Sequence, residues 1–223
     1  MVKFYNLKVK EVKQETHDAI SITFDVPEDL KSTFQYKAGQ FLTLRVDVYG
    51  EQVRRPYSLC SSPSLDENPK VTTKRVEGGV LSNYLNDHLK EGDEIEVFPP
   101  MGKFITEYDP NNQRTLIMLG GGSGITPLMS HIKTLLYKEP MSMVFLFYGN
   151  QDKQSIIFEE ELNQLKEKYP ERFKLVHTLE KPPQDWDGEE GQLDRQKILK
   201  LLDDYAISSE DNIEYFVDEM MIV

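Results

Sequence analysis

Midway along this 223-residue chain the spacing of its apolar residues changes. Over residues 19–26, Ile20, Ile22, Phe24 and Val26 alternate with Ser21, Thr23 and Asp25. Leu42, Leu44, Val46 and Val48 repeat the pattern against Thr43, Arg45 and Asp47, and Tyr5, Leu7 and Val9, then Ile95 and Val97, give shorter versions. A period of two means strands with one buried face. Turn residues separate these runs (Pro27, Gly39, Gly50, Pro63, Gly92), and a single short helical stretch falls near 83–89. Several short strands with turn signals predict a small antiparallel β-barrel. Beyond it, residues 115–119 and 143–148 are nearly continuous apolar runs, as in parallel strands buried on both faces. Leu128, Ile132, Leu135 and Leu136 mark one helical face, and Phe158, Leu162, Leu165 and Tyr169 a second. Residues 173–179 and 213–217 read as further strands, with 198–205 helical between them. Strand alternating with helix predicts an α/β domain, a doubly wound parallel sheet. The switch at Asp109-Pro110-Asn111-Asn112 divides the chain into domains 1–109 and 110–223.

Composition removes several functions. Lys and Arg number 26 against 38 Asp and Glu, a net charge of −12, which argues against a nucleic-acid partner. The single cysteine, Cys60, cannot build a disulfide framework, a cysteine zinc site or an iron–sulfur cluster. No apolar run approaches the ~20 residues of a membrane span, and no signal-peptide h-region opens the chain. The expectation is a soluble, cytoplasmic protein with no metal, its oligomeric state open. Residues 1–109 carry 14 basic and 18 acidic residues, and 110–223 carry 12 and 20, read as a solvated acidic surface.

Three motifs carry chemistry. Gly120-Gly121-Gly122-Ser123-Gly124-Ile125-Thr126-Pro127 follows a buried strand and opens a helix, with Thr126 as expected N-cap and Pro127 at the first helical position. Glycines let backbone approach a ligand closely, and the helix N-terminus favours a phosphate. No Gly-Lys-Ser/Thr ending follows, so this is not a triphosphate P-loop. Arg54-Arg55-Pro56-Tyr57-Ser58 puts Arg55 and Tyr57 on one strand face and Pro56 and Ser58 on the other, offering a forked phosphate donor and a flat ring with a polar tip. Lys74-Arg75-Val76-Glu77-Gly78-Gly79-Val80-Leu81-Ser82 sets two cations before a Gly-Gly turn, with Ser82 as a candidate cap; a surface hairpin turn reads equally well.

In this order and spacing, with Phe147-Tyr148-Gly149-Asn150 following, the motifs resemble the ferredoxin–NADP reductase superfamily, in particular the electron-transfer reductases of bacterial oxygenases of the phenylacetate type. The resemblance runs from Val9 to Tyr215. It implies that the barrel binds FAD and the α/β domain binds NAD(P)H. By the resemblance, Arg55 contacts the flavin pyrophosphate, Tyr57 packs on the isoalloxazine or ribityl chain, and Ser58 lies near flavin N5. Lys74, Arg75 and Val76 border the flavin, and Gly79, Val80, Leu81 and Ser82 hold its pyrophosphate. Gly120, Gly121, Gly122, Ser123 and Gly124 cradle the pyridine-nucleotide pyrophosphate, with Thr126 and Pro127 after them. Thr126 sits between the cofactors, and Gly149 and Asn150 approach the adenosine half. The implied reaction passes hydride from NAD(P)H to FAD, then electrons singly to a separate acceptor: a ferredoxin, an oxygenase or a small molecule.

Three departures stand out. Gln151 and Asp152 stand where similar sequences carry Arg after Tyr-Gly-Asn, which favours NADH. The chain is expected to lack the ferredoxin domain often fused in such reductases, since its one cysteine cannot ligate such a cluster. Tyr215-Phe216-Val217-Asp218-Glu219-Met220-Met221-Ile222-Val223 replaces the family's Tyr-Phe-x-Cys-Gly-Pro-x-x-Met-Met. That sets Asp218 and Glu219 near the nicotinamide entry and leaves an alternative open: an FAD- and nucleotide-binding remnant or regulatory module with an incomplete nicotinamide half-site and little turnover. Cys60 is expected to be a small side chain beside the flavin. His17, His88, His131 and His177 are expected on helix surfaces or strand edges, and Trp186 as a loop anchor.

Overall fold

The computed structural model describes residues 3–205 and 212–217. Its contacts form two compact units, Met1–Glu107 with Met129–Thr134, and Tyr108–Leu128 with Leu135–Val223. No helix among the described residues is long and apolar enough to cross a membrane.

In the first unit, β1 (Tyr5–Thr16), β2 (Ala19–Asp25), β3 (Phe41–Val48), β4 (Glu51–Ser58), β5 (Lys70–Lys74) and β6 (Glu94–Met101) form an antiparallel sheet in the order β4-β3-β6-β1-β2-β5. The sheet curls until the residue after β4, Leu59, bridges Val71 of the opposite edge, giving the small barrel that the alternation predicts. Leu7, Val9, Ile22, Phe24, Leu42, Leu44, Val71 and Val97 fill its interior. The helix α1 (Val80–His88) begins earlier than the sequence suggested and inserts Leu81 and Leu85 into that core. One expectation needs correction: on the polar face of β2, Ser21 and Thr23 are also buried, and only Asp25 is exposed. Ser21 Oγ lies 2.8 Å from Thr72 Oγ1, and Cys60 Sγ lies 3.3 Å from the same hydroxyl, so a side-chain hydrogen-bond chain replaces solvent there.

The second unit has β7 (Thr115–Gly121), α2 (Ile125–Lys138), β8 (Met143–Asn150), α3 (Glu159–Lys168), β9 (Phe173–Leu179), β10 (Glu189–Glu190), α4 (Arg195–Asp204) and β11 (Ile213–Val217). Its parallel sheet has the order β10-β9-β8-β7-β11. The chain steps outward from β7 to β10 and then returns to the far side of β7. The order of the strands therefore reverses between β7 and β11, and the crevice outside their carboxyl ends is where open α/β sheets bind ligands. Phe158, expected inside the second helix, is instead its N-cap, held at φ 64°.

The amino ends of the same strands are tied by charge. The Arg114 guanidinium forks onto the buried Glu139 carboxylate, with Nε at 3.0 Å and Nη2 at 2.8 Å, and reaches Glu214 of β11 through Nη1 at 2.6 Å. Ser142 Oγ and Asn112 Nδ2 also donate to Glu139, at 2.8 and 2.9 Å. Arg172 caps the end of α2 through the Leu136 and Glu139 carbonyls.

Candidate functional site: two glycine turns at helix N-termini

The first cluster lies on the first unit. β4 is an edge strand paired only with β3 along its length, so Pro56 costs no ladder bond. Arg55 and Pro56 are exposed, while Tyr57 and Ser58 turn partly inward beside the barrel core. Arg55 Nη1 donates to the Arg54 carbonyl at 2.8 Å, and the guanidinium makes no ion pair among the described residues. Burial raises the Tyr57 phenol above its usual pKa, with Thr73 and the Arg55 charge opposing, so its hydroxyl stays protonated. The Thr73 hydroxyl beside it is buried.

Lys74 and Arg75 end the opposite edge strand, and both meet carboxylates: Lys74 Nζ lies 3.6 Å from Asp18, and Arg75 Nη2 2.6 Å from Asp87. The chain then turns through Gly78 at φ +68° into α1. Gly79, rather than Ser82, is the N-cap, and no side chain caps the helix. Ser82 is the third helical residue and is buried, which corrects its expected capping role. A Cβ on Gly79 would lie 2.6 Å from Ser82 Oγ and 3.0 Å from the Val76 carbonyl, so only glycine leaves this N-terminus open. Val76 and Val80 stand exposed on either side of it, and Leu81 is buried in the core.

The second cluster lies on the second unit. β7 continues through Gly120 and Gly121, and Gly122–Gly124 forms a tight 3-10 turn before α2. Gly120 faces Leu128, whose Cδ1 would be 2.8 Å from an added Cβ, and Gly122 sits at φ +49°. The helix begins at Ile125, so Thr126 and Pro127 are its second and third residues, not cap and first position. Thr126 Oγ1 donates back to the Ser123 carbonyl at 2.9 Å, which leaves the N-terminus without a side-chain cap. Gly149 pairs with Gly121 in register and packs near Leu193. The Asn150 side chain is buried. Asp152 does not project as a free carboxylate: its Oδ1 accepts from the Ser155 amide at 3.0 Å in a reciprocal capping box.

Sequence reasoning gave Tyr148 no role of its own, counting it in an apolar run and in the motif Phe147-Tyr148-Gly149-Asn150. It is fully buried, and its hydroxyl donates to the Gly122 carbonyl at 2.8 Å. A tyrosine at the end of a fully buried strand was the available signal, since its hydroxyl must find a partner. The histidine expectation also fails in part. His131 is fully buried on α2 in the first unit, with Nε2 3.0 Å from the Phe104 carbonyl. His177 lies within β9 against the Tyr148 ring, at 5.7 Å between centroids, with neither ring nitrogen partnered. Burial, aided by Lys166, lowers its pKa from 6.5 to about 4. The unfolded chain therefore takes up a proton that the fold refuses, and stability falls as pH drops from 6.5 towards 4. His177→Phe is expected to flatten that part of the stability profile in urea unfolding at stepped pH; an unchanged slope would count against it.

Cys60 is buried, with its thiol 3.4 Å from the Lys70 carbonyl. Trp186 anchors its loop by donating to the Glu189 carbonyl at 3.0 Å. The expectation placed on Asp218 and Glu219 falls outside the described residues.

Comparison with known proteins bears on both clusters. Residues 6–106 match the oxidoreductase FAD-binding domain, and residues 118–217 the oxidoreductase NAD-binding domain. A component of the 1,2-phenylacetyl-CoA epoxidase of Escherichia coli is 38% identical over 201 residues, 90% of this chain and 56% of that protein. The ferredoxin reductase component of the Rhodococcus rhodochrous 3-ketosteroid-9-alpha-monooxygenase is 46% identical over 78% of this chain and 49% of its own length. NADH-cytochrome b5 reductase 1 of Dictyostelium discoideum is 33% identical over 90% of this chain and 68% of its own length. The chain belongs to the ferredoxin–NADP reductase superfamily. The cytochrome b5 reductase domain of Ulva prolifera nitrate reductase shares this superfamily fold, with a TM-score of 0.81 at 22% identity over 96% of this chain and 86% of that one. This superfamily member spans about half the length of the epoxidase and monooxygenase components it matches.

Both clusters fit the groups that the two domain types bind. An exposed Arg55 and an uncapped α1 N-terminus that only glycine leaves open suit a dinucleotide. A turn that needs glycine at φ +49° below an uncapped α2 suits a second pyrophosphate.

Proposed function

We propose that this chain is an FAD-dependent NAD(P)H oxidoreductase, with residues 1–109 as its FAD domain and 110–223 as its NAD(P)-binding domain. The observation that carries the reading is the pairing of two glycine turns, each opening an uncapped helix N-terminus, on a barrel and on a parallel sheet within one chain. Two dinucleotides need two such cradles. When bound, FAD accepts hydride from the nicotinamide and releases electrons singly.

The chain's own residues bind and orient. Arg55 and the α1 amides beyond Gly79 neutralise the flavin pyrophosphate, with Val80, Leu81 and Ser82 forming the turn of helix behind them. Tyr57, its phenol protonated by burial, would pack along the flavin, and Ser58 would offer it a hydrogen-bond donor near the reacting nitrogen. Pro56 stiffens the strand, and Lys74, Arg75 and Val76 form the opposite border. Gly120, Gly121, Gly122, Ser123 and Gly124, with Thr126 and Pro127 opening α2, hold the second pyrophosphate, and Gly149 and Asn150 approach its adenosine.

Electrons then leave to a separate acceptor, a ferredoxin, an oxygenase or a small molecule; the names of the epoxidase and monooxygenase relatives support the first two. The absence of Arg at Gln151 supports NADH over NADPH. The reading sets the protein in the cytoplasm, where a lone thiol such as Cys60 stays reduced.

Anaerobic reduction tests it. Purified protein is expected to be yellow, to bleach within seconds of adding NADH and to respond more weakly to NADPH. A yellow protein that does not bleach with either would overturn the enzyme reading, and a colourless one that takes up no FAD would overturn the flavin site.

A further inference from the structure

Tyr148 is the largest fully buried side chain among the described residues, set in β8 beside Gly120 of β7 and His177 of β9. A phenylalanine would fill this part of the core without bringing a polar group into it. Tyrosine adds a hydroxyl that must be satisfied, and here it donates upward to the Gly122 carbonyl at 2.8 Å. The same carbonyl accepts from the Ile125 amide, so it is held from within the turn and from beneath. Gly122 is also where the backbone adopts φ +49° between strand and helix. Burial keeps the Tyr148 phenol protonated, against weaker effects of the Ile157 amide and the Asn150 side chain, so the hydroxyl can act as the donor.

We infer that Tyr148 is a positioning residue for pyridine-nucleotide binding: without touching the ligand, its hydroxyl fixes Gly122 and with it the turn that receives the pyrophosphate. The inference rests on the reading of that turn given above. It accounts for a polar group on the largest fully buried side chain among the described residues, near the strand end that borders the crevice.

Tyr148→Phe removes the hydroxyl and keeps the ring. The holoprotein is assayed with NADH and a one-electron artificial acceptor, with inorganic pyrophosphate and adenosine as separate competitive inhibitors. The KM for NADH and the Ki for pyrophosphate are expected to rise together by roughly 3- to 10-fold, the worth of one neutral hydrogen bond. FAD content, kcat at saturating NADH and the Ki for adenosine are expected to hold. Unchanged KM and pyrophosphate inhibition overturn the inference. A variant that fails to fold, or that loses pyrophosphate and adenosine binding together, assigns the hydroxyl to stability and also overturns it. Wild-type protein that neither oxidises NADH nor responds to pyrophosphate marks failure of the underlying reading instead.

Discussion

Glu139→Ala is expected to lower the unfolding free energy by about 3–5 kcal/mol, the usual cost of removing one member of a buried ion pair. Equilibrium urea unfolding at neutral pH measures it; a loss of under about 1 kcal/mol, the range of a surface ion pair, would refute the assignment. The reason lies in how many groups converge on one carboxylate. Arg114 grips it with two nitrogens, and Ser142 and Asn112 add one donor each. Alanine would take the buried carboxylate from the Arg114 guanidinium and leave it the half-exposed Glu214. The site also joins the residue before β7, the end of α2, the residue before β8 and a side chain of β11, so its loss loosens four elements at once. Removing Arg114 as well should cost less than the two single changes summed, because each leaves the other's charge uncompensated. Acid should act in the same direction. Burial alone would raise the Glu139 carboxyl, but hydrogen bonds from Arg114, Asn112 and Ser142 outweigh it and hold it below the ordinary 4.5. The stabilisation is therefore complete above that ordinary value and is lost as pH falls through the depressed one. Glu139→Gln should remove this acid-dependent component from the profile.

Arg55→Ala is expected to weaken FAD binding by roughly 10- to 150-fold, the loss of about 1.5–3 kcal/mol for a hydrogen bond to a charged group. Flavin release on dilution, followed by fluorescence, reads the change. Arg55 is exposed on an edge strand and makes no ion pair among the described residues, so its charge is available to a ligand. Lys74 and Arg75 differ, because Asp18 and Asp87 already occupy them. Arg54 is the internal control: it lies next to Arg55 on the opposite strand face, and its loss should leave flavin affinity near wild type. Equal effects from the two arginines would reduce the site to general surface charge.

Much of this protein could be read directly. Alternation at Ile20, Ile22 and Phe24 and at Leu42 and Leu44 marked the barrel strands, because a two-residue period leaves no other way to bury one face. The continuous run ending in Gly120-Gly121-Gly122 marked a buried parallel strand opening a helix, since few backbones besides such a turn need so many glycines together. Local capping was read less well. Ser82 and Thr126 are the right residue types for caps but lie inside their helices, because glycine backbone supplied the cap two or three residues earlier.

What the sequence by itself determined is therefore the period of each half, the order of the motifs and the residues able to meet a phosphate. These follow from local geometry, which a few neighbouring residues dictate. Only the tertiary structure decided that Tyr148 holds Gly122 across 26 residues and that Arg114 meets Glu139 across 25 and Glu214 across 100. It also decided that His177 is a half-buried ring whose pKa is lowered and that Ser21 on the polar face of β2 meets Thr72 and Cys60 in the interior. Such contacts depend on which strands become neighbours, and a hydroxyl, a carboxylate or an imidazole carries no local mark of the partner that the fold will bring to it.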